Sequence, residues 1–178
     1  MNASDAPPFF ILTGPPGSGK STLLDAVSSA VSTVPEAARR VLAIQRHTGE
    51  TATGEQDPAA FIRTMKDMML ADYRSASGHT LFDRGLPDLL AFCGYYQCAD
   101  TEIRQKIKST RYQPSVLFLP AWREIYQQDQ DRKLNFEGAA AFGERTREAY
   151  RQSGYRLVEL PKASLSDRKA FVLDHISA

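Results

Sequence analysis

Short apolar runs alternate along the chain with longer segments whose apolar residues recur at helical spacing. The apolar runs predict strands at about residues 8–13, 32–34, 80–82, 115–119 and 155–160. The helical spacing predicts helices at about residues 19–31, 36–46, 58–75, 87–96, 100–109 and 137–152, with a final one after Ser164. Strands and helices that alternate in this way indicate an α/β fold with a parallel sheet covered by helices on both faces. We therefore expect one domain over residues 8–178, after a flexible tail at 1–7.

Two of the predicted helices carry apolar stripes that should face the core. In the 36–46 segment the stripe consists of Ala37, Val41, Leu42 and Ile44. In the 58–75 segment it consists of Phe61, Ile62, Met65, Met69 and Tyr73. Asp57 and Pro58 at the start of the second segment fit an N-cap and a first helical position. A methionine-rich stripe of this kind is typical of core packing.

The overall composition narrows the class of protein. The 178 residues include 22 Lys and Arg against 21 Asp and Glu, which argues against a protein that coats nucleic acid or an anionic membrane. The N-terminal residues lack a secretory signal pattern, and no apolar run is long enough to span a bilayer. Cys93 and Cys98, too few for a zinc site, are expected to be packed thiols in a reducing compartment. We therefore expect a cytoplasmic protein with no nucleic-acid or membrane partner; the composition does not predict an oligomeric state.

The turn between the first strand and the first helix matches a phosphate-binding loop. It reads Gly14-Pro15-Pro16-Gly17-Ser18-Gly19-Lys20-Ser21, the pattern G-x-x-x-x-G-K-S, and Thr22 follows. These nine residues are expected to contact a nucleoside triphosphate, with backbone N–H groups directed at the phosphates. Lys20 would reach the β- and γ-phosphates, and the Ser21 hydroxyl would bind Mg²⁺. ATP is favoured and GTP stays possible, because no guanine-reading Lys-x-Asp run follows the fourth strand.

Further functional residue types follow the other strands, at the sheet edge where ligands of such folds bind. Asp83 is the candidate for a second magnesium ligand, or else a helix cap or an ion-pair partner of Arg84. Arg84 could grip a phosphate or form a structural ion pair. Glu36 could be a general base, or an acid placed favourably in the first turn of a helix.

The charged segment 123–133 and the polar loop 47–56 are two further candidates. The charged segment could form a lid in which Arg132 stabilises the transferring phosphoryl group, or a solvated helix with internal ion pairs. Arg123 or the adjacent Trp122 could instead face the nucleotide base. The loop has no large apolar residue, a composition typical of mobile or functional loops.

Several stretches together resemble a known group. They are the phosphate loop, the segment 34–39, Asp-Arg-Gly-Leu-Pro-Asp at 83–88, and the segment 122–126 continuing through Asp129 and Arg132. They resemble the small AAA-labelled predicted ATPases. That group is similar to the nicotinamide riboside kinase domain of bifunctional NAD regulators, and more distantly to deoxynucleoside and nucleoside monophosphate kinases.

The resemblance implies a P-loop NTPase domain with a five-stranded, kinase-like sheet in which the Asp83 strand lies beside the first strand. It implies that Asp83 and Arg84 handle metal and phosphate and that Glu36 can serve as base. Together with the loop it implies transfer of a γ-phosphoryl group from Mg²⁺-bound ATP to a small hydroxyl-bearing, nucleoside-like acceptor. Since the group also includes nucleotide-binding regulators, a nucleotide-dependent regulator or slow NTPase without an acceptor is the alternative.

Overall fold

Five parallel strands form one sheet in the computed structural model, which describes residues 6–48, 54–127 and 134–177. The strands are β1 (Phe9–Thr13), β2 (Ser32–Val34), β3 (Thr80–Asp83), β4 (Ser115–Phe118) and β5 (Arg156–Glu159). Their order across the sheet is β2-β3-β1-β4-β5, and every pair of neighbours is parallel. Leu12 of β1 lies opposite Asp83 of β3. The parallel sheet and the β1–β3 neighbourhood are thus as predicted.

Seven α-helices connect and follow the strands in the described residues. They are α1 (Lys20–Val27), α2 (Ala37–Thr48), α3 (Pro58–Ser75), α4 (Asp88–Tyr96), α5 (Thr101–Ser109), α6 (Phe136–Gln152) and α7 (Leu165–Ser177). A short 3-10 turn, Arg123–Ile125, follows β4. None of the helices in these residues is long and apolar enough to cross a bilayer.

The core lies on both faces of the sheet because side chains alternate along each strand. Phe10 and Leu12 of β1 pack with α1 and α7 on one face, whereas Phe9 and Ile11 face Tyr150 of α6 on the other. Helices α2 to α5 form a further core cluster around the apolar stripe of α3. The first four residues of that stripe are buried as predicted: Phe61, Ile62, Met65 and Met69. The prediction of helices on both faces is confirmed.

Local side-chain chemistry explains several helix ends. Asp57 Oδ1 accepts a hydrogen bond of 2.9 Å from Ala60 N, and Pro58 takes the first helical position. Ser164 Oγ accepts from the backbone N–H of Asp167 at 3.2 Å before α7. The first helix was predicted to reach residue 31 but ends at Val27, where Ser28 Oγ donates to the backbone and competes with the helical pattern.

Two smaller predictions concern the tail and the cysteines. Residues 1–5 lie outside the described residues, and the carbonyls of Ala6 and Pro7 accept hydrogen bonds from Gln113 Nε2 at 3.2 and 2.9 Å. Cys93 is buried and Cys98 partly buried, and both are free thiols.

Candidate functional site

The phosphate loop joins β1 to α1 and closes on its own backbone. Gly17 and Gly19 have φ angles of +79° and +86°, which glycine adopts without the strain that a side chain would bring. Lys20 Nζ donates hydrogen bonds to the carbonyls of Gly14 at 3.1 Å and Pro15 at 2.9 Å. A loop of this shape at a helix N-terminus directs backbone N–H groups at a common point and binds anions.

Lys20 carries its charge into a buried cluster. Burial and the neighbouring Arg84 lower the pKa of Lys20 to about 8, although Asp83 and Glu36 raise it. The ammonium group therefore stays largely protonated at neutral pH. These four residues are the ones that sequence reasoning selected from β1, β2 and β3, and the structure brings them into one electrostatic unit.

Asp83 ends β3 beside the phosphate loop and is only 3% exposed. Among the described residues, none donates a hydrogen bond to its buried Oδ1 atom. Burial raises the pKa of Asp83 to about 7, and the charge of Glu36 adds to the effect. A buried carboxylate oxygen without a donor is costly unless a cation approaches it. Asp83 therefore fits a metal ligand better than the predicted helix-cap alternative, since α4 begins only at Asp88.

The residues present fit a magnesium ion that is shared with a bound nucleotide. Ser21 lies exposed in the first turn of α1, where its hydroxyl is accessible. In the part of the chain that the structure describes, no group of three or more His, Cys, Asp or Glu could hold a metal. Mg²⁺ is commonly held by one or two protein ligands together with phosphate oxygens and water, which is compatible with Asp83 and Ser21 alone.

Arg84 is held in a network of acceptors. Its Nε donates to Glu36 Oε1 at 2.7 Å, and its Nη1 donates to Asp88 Oδ1 at 2.6 Å and to the Gly14 carbonyl at 3.1 Å. Its φ of +75° is uncommon for a non-glycine residue and turns the chain back sharply after β3. Glu36 and Asp88 raise the pKa of Arg84 against the effect of burial. Of the two predicted alternatives, the structure contains the ion pair; a phosphate contact stays a prediction.

Asp88 is the centre of this network, and sequence reasoning assigned it no role. Its carboxylate is 1% exposed and accepts hydrogen bonds from Thr13 Oγ1 at 2.8 Å and Tyr150 OH at 2.6 Å. It also accepts from Arg84 and from the backbone N–H of Gly85. An acid four residues after Arg84 at a helix start was the only local signal. The contacts with Thr13 and Tyr150 join residues far apart in the chain.

Glu36 lies immediately before α2, not inside its first turn as one alternative predicted. Its side chain faces Arg84, and its second oxygen lies 3.5 Å from Arg39 Nε. Burial alone would raise the pKa of Glu36, but Arg84 and Lys20 outweigh it and lower this pKa to about 2. Glu36 is thus a fixed carboxylate at neutral pH.

A small cavity opens between α2, α3 and α4 next to this network. Its volume is about 10 Å³, close to the smallest that holds a water molecule. It is lined by Ala37, Ala38, Met65, Met69, Arg84, Asp88, Leu89 and Phe92. One wall is charged and the others are apolar, so the cavity combines a polar end with an apolar body.

The segment after β4 covers the outer side of the phosphate loop. A Cβ atom on Gly17 would overlap the Tyr126 ring, and one on Gly19 would lie 3.3 Å from Ile125 Cδ1. Tyr126 OH donates to the carbonyl of Leu134. Arg123 is exposed, with its guanidinium 4.1 Å from the Phe136 ring centre and 2.5 Å from Glu137 Oε1. Arg123 therefore contacts α6 through Phe136 and Glu137. Arg132 lies outside the described residues.

A sequence-family comparison agrees with this geometry. A family model described as an AAA domain matches residues 9–168. The chain belongs to this AAA domain family. The predicted resemblance to small AAA-labelled, kinase-like proteins is therefore confirmed. No curated protein matches it significantly.

Solved structures place this AAA domain among P-loop kinase folds. Shikimate kinase from Acinetobacter baumannii, in complex with shikimate, has a TM-score of 0.62 and 18% identity, covering 98% of this chain and 96% of that one. Deoxyadenosine kinase from M. mycoides, with products dCMP and dCDP bound, has a TM-score of 0.64 and 12% identity, covering 95% and 98%. The same kinase with bound dATP has a TM-score of 0.57 and 10% identity, covering 96% and 100%. At such identities the likeness establishes the fold.

Proposed function

We propose that this AAA domain protein binds ATP with Mg²⁺ and transfers the γ-phosphoryl group to a small hydroxyl-bearing, nucleoside-like acceptor. The supporting observation is the continuity of one buried cluster. Lys20 of the phosphate loop, Arg84 and Glu36 are electrostatically coupled, and the cavity lined by Arg84 lies beside them. Phosphate donor and acceptor would thus meet at the ends of β1, β2 and β3.

On the donor side, the amides of residues 14–22 would hold the phosphate chain. Lys20 would exchange its contacts with the loop carbonyls for the β- and γ-phosphate oxygens. Asp83 and Ser21 are the residues that fit Mg²⁺, which when bound supplies charge neutralisation on the phosphate oxygens. ATP is preferred, and GTP is the alternative nucleotide.

On the acceptor side, the apolar walls formed by Met65, Met69 and Phe92 would contact the body of the acceptor after the cavity widens. The Glu36 carboxylate would accept a hydrogen bond from the acceptor hydroxyl and orient its oxygen toward the γ-phosphorus. As that oxygen bonds to phosphorus, the bond between the γ-phosphorus and the β–γ bridging oxygen breaks, and the proton passes to Glu36 and then to water. Because its pKa is low, Glu36 acts mainly by orientation, which suits a loose phosphoryl-transfer transition state.

The test is an acceptor screen with nucleosides and small polyols that measures ATP consumption and phosphorylated product. We expect one acceptor class to raise turnover sharply, and Glu36→Gln to lower turnover with little change in ATP affinity. Glu148→Gln, on the exposed surface of α6, is the matched control. Acceptor-independent hydrolysis across the whole screen would contradict the transferase.

A nucleotide-dependent regulator is the second candidate, favoured by the cover that Ile125 and Tyr126 place over the phosphate loop. In this function nucleotide binding would displace the cover and change the surface that a partner meets. Hydrogen exchange at residues 122–127 should then rise or fall on adding nucleotide. Identical exchange with and without nucleotide would count against this candidate.

A further inference from the structure

Arg168 approaches the end of the phosphate loop at Gly19. It lies in the first turn of α7 and is 7% exposed. Its Nη1 atom lies 3.1 Å from the position that a Cβ on Gly19 would occupy. Its Cζ atom lies 5.3 Å from the centre of the Trp122 ring, which restrains the guanidinium from another direction. No sequence motif pointed to this residue.

The guanidinium of Arg168 has no anionic partner in the described residues. None of them accepts a hydrogen bond from its buried Nε, and none forms an ion pair with it. Burial lowers the pKa of Arg168, with no acid to offset the effect. Arg84, by contrast, donates hydrogen bonds to two carboxylates and a carbonyl. A buried Nε without an acceptor, in a cation without a counter-charge, is unfavourable, so the position of Arg168 favours an anion beside it.

We propose that Arg168 is a nucleotide-binding residue that pairs with the phosphate chain held in the loop. This inference rests on the proposed nucleotide binding. Lys20 reaches the start of the loop at Gly14 and Pro15, whereas Arg168 reaches its end at Gly19, so two cations would hold the chain from two ends. A guanidinium can give two parallel hydrogen bonds to phosphate oxygens. Trp122 would keep its plane in place.

The experiment compares the affinity of Mg²⁺-ATP and of inorganic tripolyphosphate by calorimetry. Trp122 is the single tryptophan of the chain and gives an independent fluorescence signal beside Arg168. We expect Arg168→Gln to weaken both ligands alike, by about tenfold or more, as the loss of a charge-assisted contact predicts. Arg168→Lys should recover part of the loss. Arg151→Gln, which removes an exposed arginine at the far end of α6, should bind like the wild type.

The other outcomes separate this inference from the proposed function. Unchanged affinity of Arg168→Gln for both ligands, with binding still lost in Lys20→Ala, would overturn the inference alone. If Arg168→Gln bound ATP more weakly but tripolyphosphate with unchanged affinity, Arg168 would contact the nucleoside, and the proposed phosphate contact would be overturned. No binding of either ligand by the wild type would overturn the proposed function and the inference with it. Urea unfolding without ligand should leave Arg168→Gln at least as stable as the wild type, whereas a purely structural arginine would lose stability.

Discussion

Replacement of Asp88 by asparagine tests whether the buried network organises the site. The substitution keeps the shape of the side chain and removes its charge. One of its two oxygens becomes an amide group, which cannot accept from the donors that surround it. Those donors are Thr13 Oγ1, Arg84 Nη1, Tyr150 OH and the N–H of Gly85.

The expected cost follows from the burial of both partners. Loss of one partner of a buried ion pair costs about 3–5 kcal/mol, because the other charge is left uncompensated. Arg84 keeps its bonds to Glu36 and to the Gly14 carbonyl, which places the cost at the lower end. We therefore expect Asp88→Asn to lower the free energy of unfolding by about 3 kcal/mol. Tyr150→Phe removes the hydrogen bond to the same carboxylate and the hydroxyl that accepts from the Gly85 N–H at 3.0 Å, and it should cost about 2 kcal/mol.

Urea unfolding followed by circular dichroism measures both variants and their double mutant. The midpoint should fall while the slope m stays constant, as for a change in stability without a change in the unfolded state. The double mutant should cost less than the sum of the single variants, since both act on one carboxylate. A loss below about 1 kcal/mol for Asp88→Asn would refute the reasoning, because it would lie below the cost of one unsatisfied buried donor.

Two further predictions concern acid stability and the start of the phosphate loop. The pKa of Glu36 is about 2 in the folded protein against an ordinary 4.5. The stabilisation by this carboxylate is therefore complete above about pH 4.5 and is lost as the pH falls toward 2. Glu36→Gln should flatten the pH dependence of the free energy of unfolding in that window, and an unchanged slope would contradict this prediction. In Gly14→Ala the added Cβ would overlap the Leu119 carbonyl, and residue 14 has a φ of +144°. The midpoint temperature of unfolding and the affinity for nucleotide should therefore both fall. Wild-type values for both would contradict this prediction.

Local patterns were sufficient to predict the sheet and the phosphate loop. Near-continuous apolar strands mark a parallel sheet, and the glycine spacing around Lys20 marks an anion-binding turn, because both depend on neighbours in the chain. The position of Asp83 beside β1 came from resemblance and is confirmed by its pairing opposite Leu12. Glu36, Asp83 and Arg84 could be proposed as a group because ligands of parallel α/β sheets bind at the carboxyl ends of the strands.

Contacts between distant residues could not be predicted in this way. Asp88 and Tyr150 are 62 residues apart and meet only because α4 and α6 pack together. On α2, Ile44 was placed in the apolar stripe but is 51% exposed, while Gln45 is buried. The buried face follows Ala37, Val41 and Gln45 at four-residue spacing, so tertiary packing overrode the polarity of one position. Arg168 gave no signal because its significance lies in what surrounds it.

The two neighbours Asp83 and Arg84 differ in their partners: Arg84 donates to three acceptors, whereas Asp83 Oδ1 accepts from none of the described residues. A non-glycine residue in the left-handed region costs about 1–2 kcal/mol, so Arg84 holds its φ of +75° only because other interactions offset the strain. Its bonds to Glu36, Asp88 and Gly14 supply that offset. One residue earlier, no residue in the described part of the chain donates to Asp83 Oδ1. Arg84 thus joins the cavity side of the site to the phosphate loop through its hydrogen bonds, while the neighbouring Asp83 offers a carboxylate oxygen to a cation.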